Sequence, residues 1–177
     1  MNIECISVGY LQENCYILDK NNNVLVIDPG DEEDKLIECI GNRKVLGILI
    51  THEHFDHIGA VKPLVDKYKC NVYKYKNMNI GENTIGDFKF EVLYMPGHRD
   101  DLICFYFKED NIMFVGDFIF EGSIGRTDLE YGNNEDMKNS IKKILEYKDN
   151  ITIYPGHGNK TCLDNERDSL KFFYKTL

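Results

Sequence analysis

The sequence predicts a protein of the α/β class, in which helices cover the faces of β-sheets. Two observations support this prediction: short apolar runs with strand-like alternation recur along the chain, and amphipathic segments with helical spacing separate them. The chain has 177 residues, of which 42% are hydrophobic, so it is long enough to bury a core. Because no linker-like or low-complexity tract divides it, we expect one domain over residues 1–177.

The strand-like runs are short and rich in β-branched and aromatic residues, and turn residues separate many of them. Two long runs in the middle of the chain have the alternation expected of antiparallel strands. In chain order the runs are NIECISV, NCYIL, NVLVIDPG, VLGILIT, TIGDFKFEVLYMPGH, LICFYFKEDNIMFVGD and ITIYPGHG.

Four segments have helical character. DEEDKLIECIG has acids in its opening turn, apolar residues at helical spacing and Gly41 as a stop signal. Residues 59–68 form a second predicted helix, with Pro63 in its first turn. An apolar stripe marks NEDMKNSIKKIL, and NERDSLKFFY is the predicted terminal helix.

Charge argues against a nucleic-acid partner. The net charge is -9, whereas binding to a phosphate backbone depends on a surplus of Lys and Arg. The one basic stretch, KYKCNVYKYK at residues 67–76, alternates as a half-exposed strand does. We therefore expect no nucleic-acid partner and interpret residues 67–76 as a strand.

Cysteine usage and the N-terminal segment predict a cytoplasmic protein. The six cysteines are scattered without a CxxC pair, which is typical of reduced thiols. MNIECISVGY lacks the basic and apolar regions of an export signal, and no apolar run approaches the roughly 18 residues that span a bilayer. We expect no membrane partner.

Each of the five histidines comes directly after an apolar, strand-like run. One histidine in such a place is more often structural than a ligand, but loops at strand ends are where sheets bring functional side chains together. Asp117 follows the run IMFV in the same way. Because imidazole and carboxylate bind zinc, iron or manganese, the sequence predicts a metal site that includes His52, His54, His57, His98 and His157.

The stretch THEHFDHIG at residues 51–59 holds most of these groups. In an extended segment, alternation would direct His52, His54 and Asp56 to one side and His57 elsewhere, so two adjacent sites become possible. The stretch differs from the helical HExxH of zinc proteases, because it follows a strand and has Asp at position 56.

The motif HxHxDH at residues 52–57, followed in order by His98, Asp117 and His157, resembles the metallo-β-lactamase-fold hydrolases, and within them the short glyoxalase II-like proteins. The similarity continues through GSIGRTDL and GHGNKT. It implies a four-layer αβ/βα sandwich with a dinuclear centre in a cleft at one edge of the two sheets.

The resemblance also implies how two divalent metal ions would be held, with zinc expected first and iron or manganese as alternatives. The first ion would take His52, His54 and His98. The second would take Asp56, His57 and His157, Asp117 would bridge both ions, and Asp28 would orient the ligands from behind.

The implied reaction is hydrolysis of a small acyl compound. A hydroxide that bridges two metals about 3.5 to 4 Å apart would attack the acyl carbonyl, and Asp56 and Asp117 are the expected catalytic residues. Small thioesters are the expected substrates, because a metal stabilises a thiolate leaving group.

Two features depart from the family pattern. Family members commonly continue after the fourth histidine with Thr-Pro-Gly-Ser, whereas this chain has Arg99, Asp100 and Asp101. Full-length glyoxalase II enzymes have a C-terminal helical region that contacts glutathione, whereas this chain ends soon after GHG. Arg99 could pair with a substrate carboxylate or with a neighbouring acid, and we expect a solvated or structural role for it, and a structural role for an Arg126–Asp128 pair. The role of the loop at residues 99–101 and the thiol carrier stay undetermined.

Other functions stay open on the same motif. A mono-iron persulfide dioxygenase usually has a degenerate second site, and a flavin-linked di-iron reductase usually has Glu at the position of His54. A nuclease would need a basic surface, and a secreted β-lactamase an export signal. A non-catalytic metal-binding protein is the remaining class, and the sequence leaves the oligomeric state undetermined.

Overall fold

A computed structural model of residues 1–177 contains two main β-sheets, a small hairpin and five α-helices. The strands are β1 (Asn2–Val8), β2 (Glu13–Lys20), β3 (Asn23–Ile27), β4 (Lys44–Leu49), β5 (Asn71–Tyr73), β6 (Gly81–Ile85), β7 (Phe88–Tyr94), β8 (Ile103–Phe107), β9 (Ile112–Gly116), β10 (Ile119–Phe120), β11 (Ser123–Ile124), β12 (Thr152–Pro155) and β13 (Thr161–Cys162). The helices are α1 (Glu33–Ile40), α2 (Phe55–Ile58), α3 (Val61–Tyr68), α4 (Asn134–Leu145) and α5 (Leu163–Thr176). The predicted α/β class is confirmed.

The first sheet contains β1 to β5 in chain order. Strands β1, β2 and β3 form an antiparallel meander, and β4 and β5 then add in parallel. A parallel neighbour requires a crossover connection, which α1 supplies between β3 and β4, and α2 with α3 between β4 and β5. The segments that follow β3 and β4 therefore leave the sheet at one edge.

The second sheet has the order β13, β12, β9, β8, β7, β6. Strands β6 to β9 are antiparallel, and β12 pairs in parallel with β9 after the crossover through α4. Because β8 is antiparallel to both of its neighbours, β7, β9 and β12 all run in one direction. The three loops that follow them therefore also emerge at one edge.

Three apolar clusters separate four layers. The first lies between the helices α1 and α3 and the outer face of the first sheet, and includes Ile17, Val26, Leu36 and Leu64. The second lies between the sheets and includes Leu25, Phe105 and Phe114. The third joins the second sheet to α4 and α5 through residues such as Val115, Ile141 and Leu170. The helix–sheet–sheet–helix order confirms the predicted four-layer sandwich.

Strand β2 shows why the sequences of the central strands are continuous apolar runs. Cys15 and Ile17 face the helices, whereas Tyr16 and Leu18 face the second sheet. A strand buried on both faces cannot alternate between apolar and polar residues. This pattern marks the strands that hold the layers together.

Three sequence predictions need correction. The helix predicted at residues 59–68 begins at Val61, with Pro63 in its first turn, and the separate single-turn helix α2 precedes it. The strand predicted at residues 67–76 is wrong over most of its length, because only Asn71–Tyr73 pairs with the sheet. Its flanks complete α3 and form a 3₁₀ turn at Tyr75–Asn77. The terminal helix starts earlier than predicted, at Leu163.

The cysteines are all free thiols, and Cys15 and Cys104 are buried in the apolar clusters. No helix in the structure combines the length and the apolar character that crossing a bilayer demands.

Candidate metal centre

The structure brings the seven predicted ligands together where the strand ends of the two sheets meet. Within each of two groups, the potential ligand atoms lie within 4.8 Å of one another. The first group is His52, His54, His98 and Asp117, and the second is Asp56, His57 and His157.

The first group forms around His54. Its Nδ1 atom lies 3.0 Å from Nε2 of His52 and 2.9 Å from Nε2 of His98. His52 follows β4 in the first sheet, whereas His98 follows β7 in the second. The first group therefore joins the two sheets.

The second group forms around Asp56. Its Oδ2 atom lies 3.2 Å from Nε2 of His157 and 3.9 Å from Nε2 of His57. His157 is held in place from the other sheet, because its backbone forms an isolated β-bridge with Glu13 at the start of β2. This group also spans the two sheets.

Asp117 lies between the two groups. Its Oδ2 atom is 3.5 Å from Nε2 of His98 and 3.7 Å from Nε2 of His157, and its Oδ1 atom is 3.4 Å from Nε2 of His57. One carboxylate therefore faces ligands of both groups, which is the arrangement a bridging ligand needs.

The local structure of THEHFDHIG differs from the extended segment predicted from alternation. His54 has extended backbone angles and immediately precedes α2, so Asp56 and His57 lie on a helical turn. The alternation argument for Asp56 is therefore wrong. The change from extended chain to helix is what sends His52 and His54 to the first group and Asp56 and His57 to the second.

A glycine permits the close approach of these loops. A Cβ atom at Gly156 would lie 2.3 Å from Oδ1 of Asp117 and 2.6 Å from Cε1 of His57. Only a residue without a side chain allows the loop after β12 to pass this close to the Asp117 carboxylate.

Four of the histidines are oriented by acceptors behind them. Nδ1 of His57 lies 3.0 Å from Oδ2 of Asp28, Nδ1 of His98 lies 2.8 Å from the Arg126 carbonyl oxygen, and Nδ1 of His157 lies 3.1 Å from the Leu11 carbonyl oxygen. The Thr51 hydroxyl donates to Asp28, so it accepts from Nδ1 of His52 at 3.1 Å.

These acceptors fix the tautomers. Carbonyl and carboxylate oxygens only accept, so the proton of each neutral ring lies on Nδ1 and the Nε2 lone pair points inward. Outer partners of this kind are what orient histidine ligands in metal sites. Asp28 acts on two of the four rings, directly on His57 and through Thr51 on His52.

The inward-facing atoms fit divalent cations. Nε2 of His57 and Oδ1 of Asp117 are buried without a hydrogen-bond partner, although they lie only 3.4 Å apart. At His54, one Nδ1 atom faces the Nε2 lone pairs of two other rings. Donor atoms that converge in this way repel one another unless a proton or a metal cation lies among them, and nitrogen and carboxylate donors suit zinc, iron and manganese.

The pKa shifts of the first group favour ligand formation. Burial and the neighbouring His57 and His98 hold the pKa of His52 well below 6.5. Burial, together with His98 and Arg99, lowers the pKa of His54 to about 4. Both rings are therefore neutral at neutral pH, with a lone pair available to a metal.

The second group behaves differently. Burial would lower the pKa of His57, but the nearby carboxylates of Asp117 and Asp28 outweigh burial and raise the pKa well above 6.5. Burial would also lower the pKa of His157, which Asp56 and Asp117 raise. A bound cation would therefore compete with a proton at these two rings.

Sequence reasoning missed Glu13 and Thr51. The Glu13 side chain is 1% exposed, its two oxygens have no hydrogen-bond partner, and Oε1 lies 3.7 Å from Nδ1 of His57. Burial raises its pKa well above 4.5. No sequence signal marks Glu13, since it begins an ordinary strand, whereas Thr51 adjoins the motif and could have been noted as a partner of Asp28.

The metal centre opens into a groove of about 500 Å³. His54, Asp56, His98, Asp117 and His157 contribute to its lining. Apolar residues form much of the remainder, namely Leu11, Phe55, Phe120, Ile124 and Leu129. The volume is that of a small-molecule site.

The Arg99 loop forms internal contacts beside the first group. Nε of Arg99 donates to Oδ1 of Asp101 at 2.8 Å, and the guanidinium lies over the Tyr131 ring at 5.1 Å. The Arg126–Asp128 pair is bidentate, with both contacts at 2.7 Å. Both arginines therefore have partners within the chain.

The fold and the metal centre define a metallohydrolase-type protein, and comparison with known proteins identifies the family. The family model described as the Metallo-beta-lactamase superfamily matches residues 8–77 and 79–157. The chain belongs to this superfamily, as its HxHxDH motif indicated.

Relatives and solved structures narrow the group. The chain is 34% identical to hydroxyacylglutathione hydrolase GloC of Haemophilus influenzae, over 97% of this chain and 98% of that protein. It is 33% identical to the probable metallo-hydrolase YqgX of Bacillus subtilis, over 93% of this chain and 94% of that protein. Similarity to these relatives agrees with the predicted resemblance to the glyoxalase II-like group and indicates a metal-dependent hydrolase.

Three solved structures share the fold over nearly the whole chain. The BLEG-1 B3 metallo-β-lactamase has a TM-score of 0.91 at 30% identity, covering 97% of this chain and 99% of that one. The di-iron-bound form of TTHA1623 has a TM-score of 0.88 at 32% identity, and the match covers 96% of this chain and 99% of that one. ETHE1 from Myxococcus xanthus has a TM-score of 0.89 at 23% identity, covering 99% and 85%, and shows the fold alone.

Proposed function

We propose that this protein is a binuclear metallohydrolase that cleaves small thioesters. The observation that carries the proposal is the completeness of the second group, Asp56, His57 and His157, beside the first, with Asp117 between them. Two divalent ions at such a centre supply a nucleophile at neutral pH and polarise an acyl carbonyl. Zinc is the first candidate, and iron or manganese suits the same ligands.

The chain's own residues favour water as the nucleophile. No cysteine lines the groove, and Ser123 is its one hydroxyl residue. The Ser123 hydroxyl donates to the Ile124 carbonyl oxygen at 3.4 Å, and no histidine base contacts it. A covalent acyl-enzyme would need such a base to activate the hydroxyl.

The proposed roles of Asp56 and Asp117 follow from their positions. Asp56 lies at the floor of the groove, where its carboxylate would orient the attacking water and accept its proton. Asp117 would hold the two halves of the centre in register through its contacts with His57, His98 and His157.

A thioester suits this centre because of its leaving group. Thiols have pKa values near 8.5, so a thiolate leaves without a dedicated general acid, whereas an amide nitrogen must be protonated before it leaves. The lining contains no lysine or tyrosine that would serve as such an acid. GloC is named as a hydroxyacylglutathione hydrolase, and this similarity supports hydrolysis of a thioester.

A mono-iron persulfide dioxygenase is the alternative. It would need only the first group, so the complete second group argues for hydrolysis instead. A non-catalytic metal-binding role is the other alternative, and it gives no reason for the groove that leads to the metal centre. A small acyl compound is the proposed partner, and no nucleic-acid partner is proposed.

Elemental analysis combined with a thioester panel tests the proposal. We expect two ions of zinc, iron or manganese per chain and hydrolysis that a chelator abolishes. The variants His54→Ala and Asp117→Ala should lose metal and activity, whereas Asp168→Ala, whose side chain is 96% exposed on α5, should retain both. One iron per chain with oxygen consumption on a persulfide would replace the proposal with the dioxygenase.

A further inference from the structure

We infer that the substrate is a thioester of an uncharged, apolar thiol rather than of an anionic one such as glutathione. The inference rests on the proposed thioester hydrolysis and specifies its substrate class. Three observations carry it: the clustering of exposed apolar residues at the groove, the absence of an unpaired lysine or arginine in its lining, and the acid Asp31 in the adjoining hollow.

Exposed apolar residues cluster at the mouth of the metal centre. The chain has eight large hydrophobic side chains that are exposed, and Tyr10, Leu11, Phe55 and Leu129 contact or line this groove and the hollow beside it. Tyr10 is 81% exposed and stacks on Phe55, which is 63% exposed, with ring centroids 6.4 Å apart. Exposed apolar residues that gather beside a site mark a surface that a ligand covers.

The hollow extends the apolar surface away from the metal centre. It measures about 340 Å³ and shares Leu11, Phe55 and Asp56 with the groove. Tyr10 and Val8 line its far side. A thioester bound at the metal centre would therefore have an apolar surface on either side of Phe55 for its acyl and thiol parts.

Apart from the proposed metal ions, the groove offers no unpaired cation to an anionic thiol. Arg126 is the one lysine or arginine in its lining, and its charge is paired with Asp128, to which Nε and Nη2 each donate at 2.7 Å. The hollow contains no lysine or arginine, and Asp31 is its one acid outside the proposed metal centre. A carboxylate-bearing thiol would lose water there without gaining an opposite charge, which is unfavourable.

A pair of matched ligands tests this inference independently of catalysis. S-hexylglutathione carries two carboxylates and one ammonium, whereas the S-hexyl thioether of N-acetylcysteamine is uncharged, and neither can be hydrolysed. Calorimetric titration of the metal-loaded protein should give tighter binding of the uncharged thioether, by about tenfold or more. Equal or tighter binding of S-hexylglutathione would overturn the inference.

Hydrolysis provides the second measurement. The lactoyl thioester of N-acetylcysteamine should have a kcat/KM at least about tenfold above that of lactoylglutathione, with most of the difference in KM. If neither thioester is cleaved while the thioether preference holds, the proposed hydrolysis fails and the apolar specificity stands. If both are cleaved and the glutathione thioester is preferred, the specificity fails and the hydrolysis stands.

Variants at the rim identify the surface. Tyr10→Ala and Leu129→Ala should weaken binding of the uncharged thioether by roughly threefold to tenfold. Leu129→Lys should strengthen binding of S-hexylglutathione. Phe172→Ala, which removes a 60% exposed ring from α5, is the matched control and should change neither affinity. Metal content measured on each variant separates a lost contact from a lost metal centre, and unchanged affinities in all three rim variants would contradict the assignment.

Discussion

Asp101 accepts a hydrogen bond from the backbone N–H of Glu53, with 3.2 Å between Oδ2 and the nitrogen. Glu53 lies between the ligands His52 and His54, and Asp101 lies in the loop that begins with His98. The contact therefore ties together the two loops that supply the first ligand group. Asp101 is 6% exposed, and its other oxygen accepts from Arg99. The contact depends on Asp101, the last residue of the segment Arg99-Asp100-Asp101.

Asp101→Ala should weaken metal binding at the first group by roughly 10- to 100-fold, the cost typical of losing an outer partner of a metal site. It should also destabilise the fold by about 1 kcal/mol, because the partly buried Glu53 N–H loses its acceptor. Competitive chelator titration measures the affinity, and denaturant unfolding measures the stability.

Asp101→Asn is the conservative comparison. The amide retains an oxygen acceptor for Glu53 and loses only the charge that faces Arg99, so metal affinity should recover most of its original value. Equal loss of affinity in both variants would show that charge, and not the tie between the loops, is what matters.

Asp28 should control both groups of ligands. It accepts from Nδ1 of His57 and, through the Thr51 hydroxyl, orients His52. Asp28→Ala should therefore reduce the metal content of both sites, with affinity losses of about 10- to 100-fold. Asp31→Ala removes a nearby exposed acid and is the control, with two metals expected per chain. Retention of both metals in Asp28→Ala would show that the histidines do not need this acceptor.

Acidification should remove the second metal before the first. A proton competes with a metal at each histidine, and it competes up to a higher pH where the pKa is raised. The pKa of His57 is raised well above 6.5, whereas that of His54 is lowered to about 4. Between about pH 4 and pH 6.5, His54 is therefore unprotonated and can bind a metal, whereas a proton competes with the metal at His57. Metal content followed by dialysis at decreasing pH should fall in two steps, and a single step would contradict the prediction.

The sequence predicted most of the fold because its signals are local. Strands that are buried on both faces, such as β2 and β3, appear in the sequence as apolar runs. Helix α4 has apolar residues at helical spacing along one face. The HxHxDH motif and the strand-end position of each histidine also predicted which groups meet. The resemblance, and not periodicity, supplied their division between two sites.

What the sequence could not supply depends on contacts between distant residues. The helical turn at Phe55–Ile58 is too short to show a period, so alternation misplaced Asp56. Glu13 is buried beside His57 only because Gly30 and the loop after β12 close over it. The strand predicted at residues 67–76 failed because alternating Lys and Tyr also suit a helix end followed by an exposed turn. None of these features can be predicted from the pattern of neighbouring residues in the sequence.

The last prediction concerns Gly156, whose missing side chain the metal centre requires. A Cβ atom there would lie 2.3 Å from Oδ1 of Asp117, and Gly156 is not in the left-handed backbone region, so an effect of Gly156→Ala would be steric. We expect displacement of the bridging carboxylate and roughly 100-fold loss of hydrolysis, since small misplacements of reacting groups have effects of that size.

Gly122→Ala is the matched control for this variant. Gly122 has a φ of 70°, and a Cβ atom there meets nothing within 4 Å, so alanine should cost about 1–2 kcal/mol of stability through backbone strain alone. Gly156→Ala should therefore lose metal and activity while staying folded, whereas Gly122→Ala should lose stability and keep its metals. A Gly156→Ala protein with two tightly bound metals and full activity would mean that Asp117 is not held where the structure places it.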